Sequence, residues 1–232
     1  GKSLPDRPDP KGDQKVMLAT SSDLVRFEKQ PDFTFYADGE IYWNKTINGP
    51  LDPNLQIHNQ RDESFRDPEV FWNPEHEEYW MLLHAREAES QKHCFGVYRS
   101  DDLLTWKPRQ PLEIAVPVHQ SNIDCPDLFQ LGDRWVLTFS GGPRYAIADK
   151  SAGPYSDHHP ADHNFFVPKT TRDGEGRVLV AGTVRPDIGI AGGRGSMLRE
   201  YYLSDDGRLL QRPLAEVLAA FSESVGTLDD LA

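Results

Sequence analysis

The chain of 232 residues has only two cysteines, Cys94 and Cys125, and no Cys-x-x-Cys pair or Cys/His cluster at zinc spacing. That excludes a disulfide-dense scaffold or a zinc-finger type of site. No apolar run exceeds about five residues, as in Val178 to Gly182, whereas a membrane helix needs about 20. Positive charge is short as well: 25 Lys and Arg stand against 37 Asp and Glu, a net charge of −12. With no basic patch to offset it, such a chain repels phosphate backbones, so neither nucleic acid nor membrane is an expected partner. Gly1-Lys2-Ser3 leads into no apolar stretch of a signal peptide, which leaves the compartment open between cytoplasmic and secreted. What remains is an ordinary globular composition, long enough to bury a core without staples.

Helical periodicity is also scarce. One amphipathic stretch, Pro213 to Phe221, places leucine, valine and alanine at helical spacing behind a proline suited to a helix start. The rest reads as short strands between turns: Val16 to Ala19, Glu69 to Trp72, Glu78 to His84, Cys94 to Arg99, Trp135 to Ser140, Tyr145 to Ala148 and Arg177 to Ala181. They are rich in Val, Phe, Tyr and Trp and bounded by Gly, Pro, Asp or Asn, which predicts an all-β protein.

Internal repeats narrow the architecture. Ser21-Ser22-Asp23-Leu24-Val25-Arg26-Phe27 resembles Ser100-Asp101-Asp102-Leu103-Leu104-Thr105-Trp106, each after a short strand. A second unit runs from an acidic, Pro-containing turn through a strand to an aromatic strand. It occurs at Arg66-Asp67-Pro68-Glu69-Val70-Phe71-Trp72 and again at Cys125-Pro126-Asp127-Leu128-Phe129. The copies lie about 60 residues apart, the scale of a four-stranded propeller blade with its loops. A β-propeller of four to five blades is expected; a β-sandwich is the competing architecture, but it does not require repeats.

In a propeller the innermost strands start at one rim of the central channel, so carboxylates at those starts converge. Asp67 and Asp124 hold matching places in the repeated unit. A pair of carboxylates is what glycoside hydrolysis needs: one protonates the leaving oxygen, the other attacks or steadies the oxocarbenium-like centre. Arg66 would keep such a carboxylate ionised or orient a hydroxyl-rich substrate. The plainer reading is that Asp-Pro is a common turn pair that starts a strand.

These residues resemble a known family. Phe65-Arg66-Asp67-Pro68-Glu69-Val70-Phe71-Trp72 is similar to the Arg-Asp-Pro signature of glycoside hydrolase family 32, the invertase, levanase and inulinase group. Ile123-Asp124-Cys125-Pro126-Asp127-Leu128-Phe129 resembles its Glu-Cys-Pro-Asp signature. Further stretches at 19–27, 164–179, 198–200 and 207–213 follow the family's order, so the resemblance covers about residues 16 to 218. It implies a five-bladed β-propeller that acts on β-fructofuranosides such as sucrose, inulin or levan, and a form shortened to about four complete blades is the alternative. Asp67 would hold fructose hydroxyls, Asp124 would be general acid and then base, and Glu200 with Arg66 would contact substrate. Cys125 would line the pocket. No cofactor or metal is implied.

Two departures stand out. The acid/base is aspartate rather than glutamate, one methylene shorter, and catalysis is sensitive to displacements of that size. The family's nucleophile motif, Asn-Asp-Pro-Asn-Gly, has no counterpart; Asp9, in Asp9-Pro10-Lys11-Gly12, is the weak candidate. Residues 1–15 are expected to be a flexible segment, 16–218 the propeller and 219–232 a helix and tail. Alternatives to an active hydrolase are a silent glycan-binding propeller and a fragment of a longer fructosidase. A shortened propeller has open strand edges, which admits a homo-oligomer. Gly192-Gly193-Arg194-Gly195 reads as a loop, and His158, His159 and His163 as exposed side chains. Trp43, Trp72 and Trp106 divide between packing and sugar stacking.

Overall fold

The computed structural model describes residues 14–55, 64–115, 123–140, 144–156, 159–160, 165–184 and 194–221. The chain forms two compact units that divide after Pro160.

The first unit opens with β1 (Val16–Thr20) and β2 (Glu28–Phe35), an antiparallel pair, followed by a four-residue helix α1 (Lys45–Asn48). Four strands then pair in chain order, β3 (Arg66–Asn73), β4 (Glu78–Arg86), β5 (His93–Ser100) and β6 (Lys107–Arg109). The next sheet repeats that order with β7 (Asp127–Leu131), β8 (Arg134–Phe139), β9 (Arg144–Ala148) and β10 (His159–Pro160). In the second unit β11 (Phe165–Arg172), β12 (Val178–Val184), β14 (Arg199–Leu203) and β15 (Leu209–Pro213) form a sheet, with β13 (Arg194–Gly195) added on β12 and α2 (Ala215–Ala220) after it. Every pairing between these strands is antiparallel. Four-stranded meanders of this kind are the blades of a propeller, and the all-β expectation is borne out.

The run Trp80-Met81-Leu82-Leu83-His84-Ala85 explains how two sheets come to stack. Alternate residues of a strand face opposite ways, and β4 is buried on both faces. Trp80 and Leu82 join Phe95, Val97, Leu128, Trp135, Leu137 and Phe139 in one core, against the β7–β9 strands. Met81, Leu83 and Ala85 join Val16, Tyr42, Phe65 and Tyr98 in another, toward β1 and β2. His84, one alternation beyond Leu82, therefore faces the β7–β9 side and is 1% exposed. Hydrogen bonds add to the apolar contact: Glu69 accepts from the Leu128 amide at 2.8 Å, and Glu75 accepts from the Trp135 indole and from both Ser151 N–H and Oγ–H.

The repeated Ser-x-Asp-Leu stretches fold alike. Asp23 accepts from the amides of Val25 and Arg26, and Asp102 from those of Leu104 and Thr105. Leu24 and Leu103 both adopt left-handed backbone, with φ of 59° and 64°. Such Asp side chains close a turn by taking backbone donors. One turn joins β1 to β2, the other β5 to β6, so the β1–β2 pair matches the two outer strands of the following sheet.

The helix expected from Pro213 starts two residues later. Pro213 ends β15, paired with Arg199, and Leu214 caps the helix without a side-chain acceptor. The helix α1 is capped by Asn44, which accepts from Thr46 and Ile47. Residues 1–13 and 222–232 lie outside the described part.

Candidate functional site

The first strand of each of three sheets is entered through a left-handed residue followed by proline. These are Asp67-Pro68 (φ 57°), Cys125-Pro126 (φ 52°) and Val167-Pro168 (φ 54°). A left-handed residue with a β-carbon costs on the order of 1–3 kcal/mol and persists where the surroundings fix it. In β3 and β11 the register shifts at these points, between Arg66 and Glu69 and between Phe166 and Lys169. Such bulges re-aim side chains next to active sites. Ser64 adds a further left-handed residue three positions before Asp67.

Arg66, Asp67 and Asp124 meet there, although the backbone matches Asp67 with Cys125 and Arg66 with Asp124, so the two carboxylates stand one residue out of step in the repeat rather than at the same place. The Arg66 guanidinium donates to Asp124 Oδ1 at 2.5 Å through Nη2, while its Nε lies 3.6 Å from Asp67 Oδ2. Asp67 Oδ2 also accepts the Cys125 amide at 3.2 Å. Both carboxylates thus sit on one guanidinium, each with a side chain about 30% exposed, so solvent and a ligand can reach them. Arg66 is held in turn by Gln14 Oε1, which also accepts the Phe65 amide. The Asp124 carbonyl accepts the Ser140 amide at 2.8 Å, which fixes its backbone to the end of β8.

Behind Asp124 stands a pair of histidines that motif reading missed. His84 Nδ1 lies 2.6 Å from Asp124 Oδ1, and His84 Nε2 lies 2.7 Å from His93 Nδ1. The His84 hydrogen bond, partly opposed by burial and assisted by charge from His84 and Arg66, brings the Asp124 carboxyl down to about 2. At neutral pH Asp124 is therefore a carboxylate. Burial first, then the positive charge of His84, Arg86 and Arg66, lowers His93 to about 3. In the sequence His84 reads only as a polar residue inside an apolar strand, and the fold alone turns its face toward the second acidic motif.

Glu200 belongs to the second unit, so it is described apart from this cluster. It lies on β14 and binds Arg212 of β15 through two bonds of 2.7 and 2.8 Å. Arg212 holds its carboxyl below the ordinary range. Cys125 is partly exposed and Cys94 is buried, both as thiols. Among the described residues no cluster of three or more His, Cys, Asp or Glu is arranged for a metal ion, and no helix is long and apolar enough to cross a membrane. Trp43 is buried, whereas Trp72 is half exposed and stacks edge-on against Tyr79. Asp9, His158, His163, Gly192 and Gly193 lie outside the described residues.

Comparison with known proteins bears on these motifs. The chain is 26% identical over 193 residues to the sucrose-6-phosphate hydrolase of Vibrio alginolyticus, covering 70% of this chain and 39% of that protein. It is 25% identical over 226 residues to the raffinose invertase of Escherichia coli, covering 86% of this chain and 42% of that one. The chain thus spans about two-fifths of the length of these curated relatives. The structure of sucrose-6-phosphate hydrolase from Lactobacillus gasseri superposes with a TM-score of 0.63 at 19% identity, over 88% of this chain and 43% of that one. That likeness shows the fold, the five-bladed propeller type. The family model for the glycosyl hydrolases family 32 N-terminal domain matches residues 9–175, a span that contains Arg66, Asp67, His84 and Asp124, and by that match the chain belongs to glycosyl hydrolase family 32.

Proposed function

We propose that the chain carries the site of a glycoside hydrolase for β-fructofuranosides of the sucrose, inulin or levan type, with Asp124 as acid/base and Asp67 holding sugar hydroxyls. The observation that carries the reading is the shared guanidinium: Arg66 joins Asp67 and Asp124 at two left-handed, Pro-locked entries to adjacent sheets. In retaining hydrolysis one carboxyl protonates the leaving oxygen and a second attacks the anomeric carbon. The attacking carboxylate is sought outside the described residues, where Asp9 is the candidate. Arg66 orients both acidic side chains. An anionic chain suits a neutral sugar better than a charged one.

Asp124, ionised down to about pH 2, is ready for the base step but holds no proton for the acid step. A weak or altered hydrolase is therefore expected. The same observation favours a second reading, a propeller that binds fructans without turnover. Fructose release from sucrose, inulin and levan by the purified chain separates the two, alongside Asp67→Asn and Asp124→Asn. Slow release that falls by about 10²-fold or more in Asp124→Asn supports the hydrolase. Fructan binding without release supports the silent propeller. Binding confined to arabinose or xylose oligomers overturns both.

A further inference from the structure

We propose that His84 is the proton-holding partner of Asp124, an imidazolium that donates from Nδ1 to Asp124 Oδ1 and from Nε2 to His93 Nδ1, so that the pair stores the one proton the acid step requires. The inference rests on the reading of Asp124 as acid/base.

The geometry is that of a chain of groups running inward from a cavity. His93 lines a cavity of about 420 Å³ together with Glu87, Lys92, Gln110 and Leu112. From its Nδ1 the line runs 2.7 Å to His84 Nε2, then from His84 Nδ1 2.6 Å to Asp124 Oδ1, which is also the oxygen that Arg66 touches. The imidazole rings lie 4.7 Å apart, tilted by 47°. His84 is 1% exposed, so neither nitrogen is served by bulk water. The groups facing the pair are Asp124 and Arg66 on one side and His93 and Arg86 on the other.

A histidine whose two nitrogens both meet acceptors is a double donor. Asp124 Oδ1 is one acceptor. His93 Nδ1, 2.7 Å away, is the other, because burial disfavours a charge on that ring and a proton on its Nε2 leaves the Nδ1 lone pair available. The carboxylate–imidazolium pair and the acid–imidazole pair differ only in where one proton sits, and two groups so close titrate as a unit. During the acid step the His84 Nδ1 proton passes to the Asp124 carboxylate, and the carboxyl gives one proton to the leaving glycosidic oxygen. His84 then holds its remaining proton on Nε2, against His93 Nδ1. In the base step Asp124 takes a proton from the attacking water and His84 recovers the imidazolium. One proton leaves with the departing group and one returns from water.

His84 acts through Asp124, so it is a positioning residue, and two readouts test it. The first needs no turnover: nitrogen-15 shifts of the His84 ring at pH 7. Both nitrogens protonated in the wild type, with one proton lost in Asp124→Asn, is the expected result. A neutral His84 in the wild type overturns the proposal. The second is the pH–rate profile with sucrose. His84→Gln should lower kcat by about 10²-fold with KM changed less than about threefold, and should move the high-pH limb toward acid. His93→Gln should shift that limb with a smaller loss. A uniform fall at all pH values, with the limb in place, marks a structural role and also overturns it. If the wild type releases no fructose, the hydrolase reading fails, while the ring shifts still decide the state of His84.

Discussion

Gly96→Ala probes the strand pairing that sets His84 and His93 in place. Gly96 lies on β5 opposite Leu83, one pair from the His84–Phe95 match. A β-carbon there would lie 2.9 Å from the Ala85 β-carbon, 3.1 Å from Tyr42 Cε1 and 3.2 Å from Leu83 Cδ1. None of these neighbours withdraws easily. Ala85 and Leu83 are fully buried, and the Tyr42 hydroxyl is pinned, accepting the Val97 amide and donating to the Arg109 carbonyl, each at 2.7 Å. Overpacking of a rigid core costs about 1–3 kcal/mol, and the conformational advantage of alanine over glycine in a strand returns about 0.5–1 kcal/mol. A net loss of about 1–2 kcal/mol is expected. Urea unfolding followed by tryptophan fluorescence measures it as a lower midpoint at unchanged slope. Adding Ala85→Gly removes the tightest contact and should restore part of the loss. A Gly96→Ala variant as stable as the wild type would mean that β4 and β5 slide apart freely, and the reasoning from close packing would be wrong.

Two further outcomes are expected. His93 is lowered to about 3 by burial and then by positive neighbours, so below about pH 6.5 the unfolded chain takes up a proton that the native ring refuses. Stability should fall as pH drops through that window, by less than about 1.4 kcal/mol per pH unit because the ring is partly exposed. His93→Gln should flatten the dependence, and parallel curves of urea midpoint against pH would refute the assignment. Glu75→Ala removes the acceptor of the Trp135 indole and of Ser151 N–H and Oγ–H. It should cost about 1.5–3 kcal/mol, with water replacing the exposed carboxylate; a loss under about 0.5 kcal/mol in the same unfolding assay would remove Glu75 from the tie between the sheets.

The inner strands were legible because burial on both faces writes them as continuous apolar runs, as in Trp80 to Ala85. The outer ones were not. β6 is Lys107-Pro108-Arg109, β10 is His159-Pro160 and β2 carries Pro31, compositions that read as turns. They are strands nonetheless, because among the described residues β6 and β10 form sheet edges and β2 pairs with β1 alone, and an edge tolerates a proline that no ladder bond needs. The Asp23 and Asp102 turns were visible as repeats, since a short acidic side chain at a fixed offset from a left-handed leucine is a local device. The two acidic motifs of the site were visible for the same reason. His84 was not, because its meaning depends on a partner 40 residues away, and from spacing alone a histidine in an apolar strand is indistinguishable from a packed core residue.

The left-handed residue and proline at the head of β3, β7 and β11 make each sheet begin with the same backbone word but a different chemical letter. Read in chain order, the residue at the turn and the one before it are Arg66-Asp67, Asp124-Cys125 and Phe166-Val167: two charges, then one, then none. Proline and the left-handed backbone supply the shape, so the side chains at these places can carry something else. Reactivity in such a molecule is addressable two letters at a time, and a sheet can gain or lose its part in the chemistry while its ladder of hydrogen bonds stays as it was.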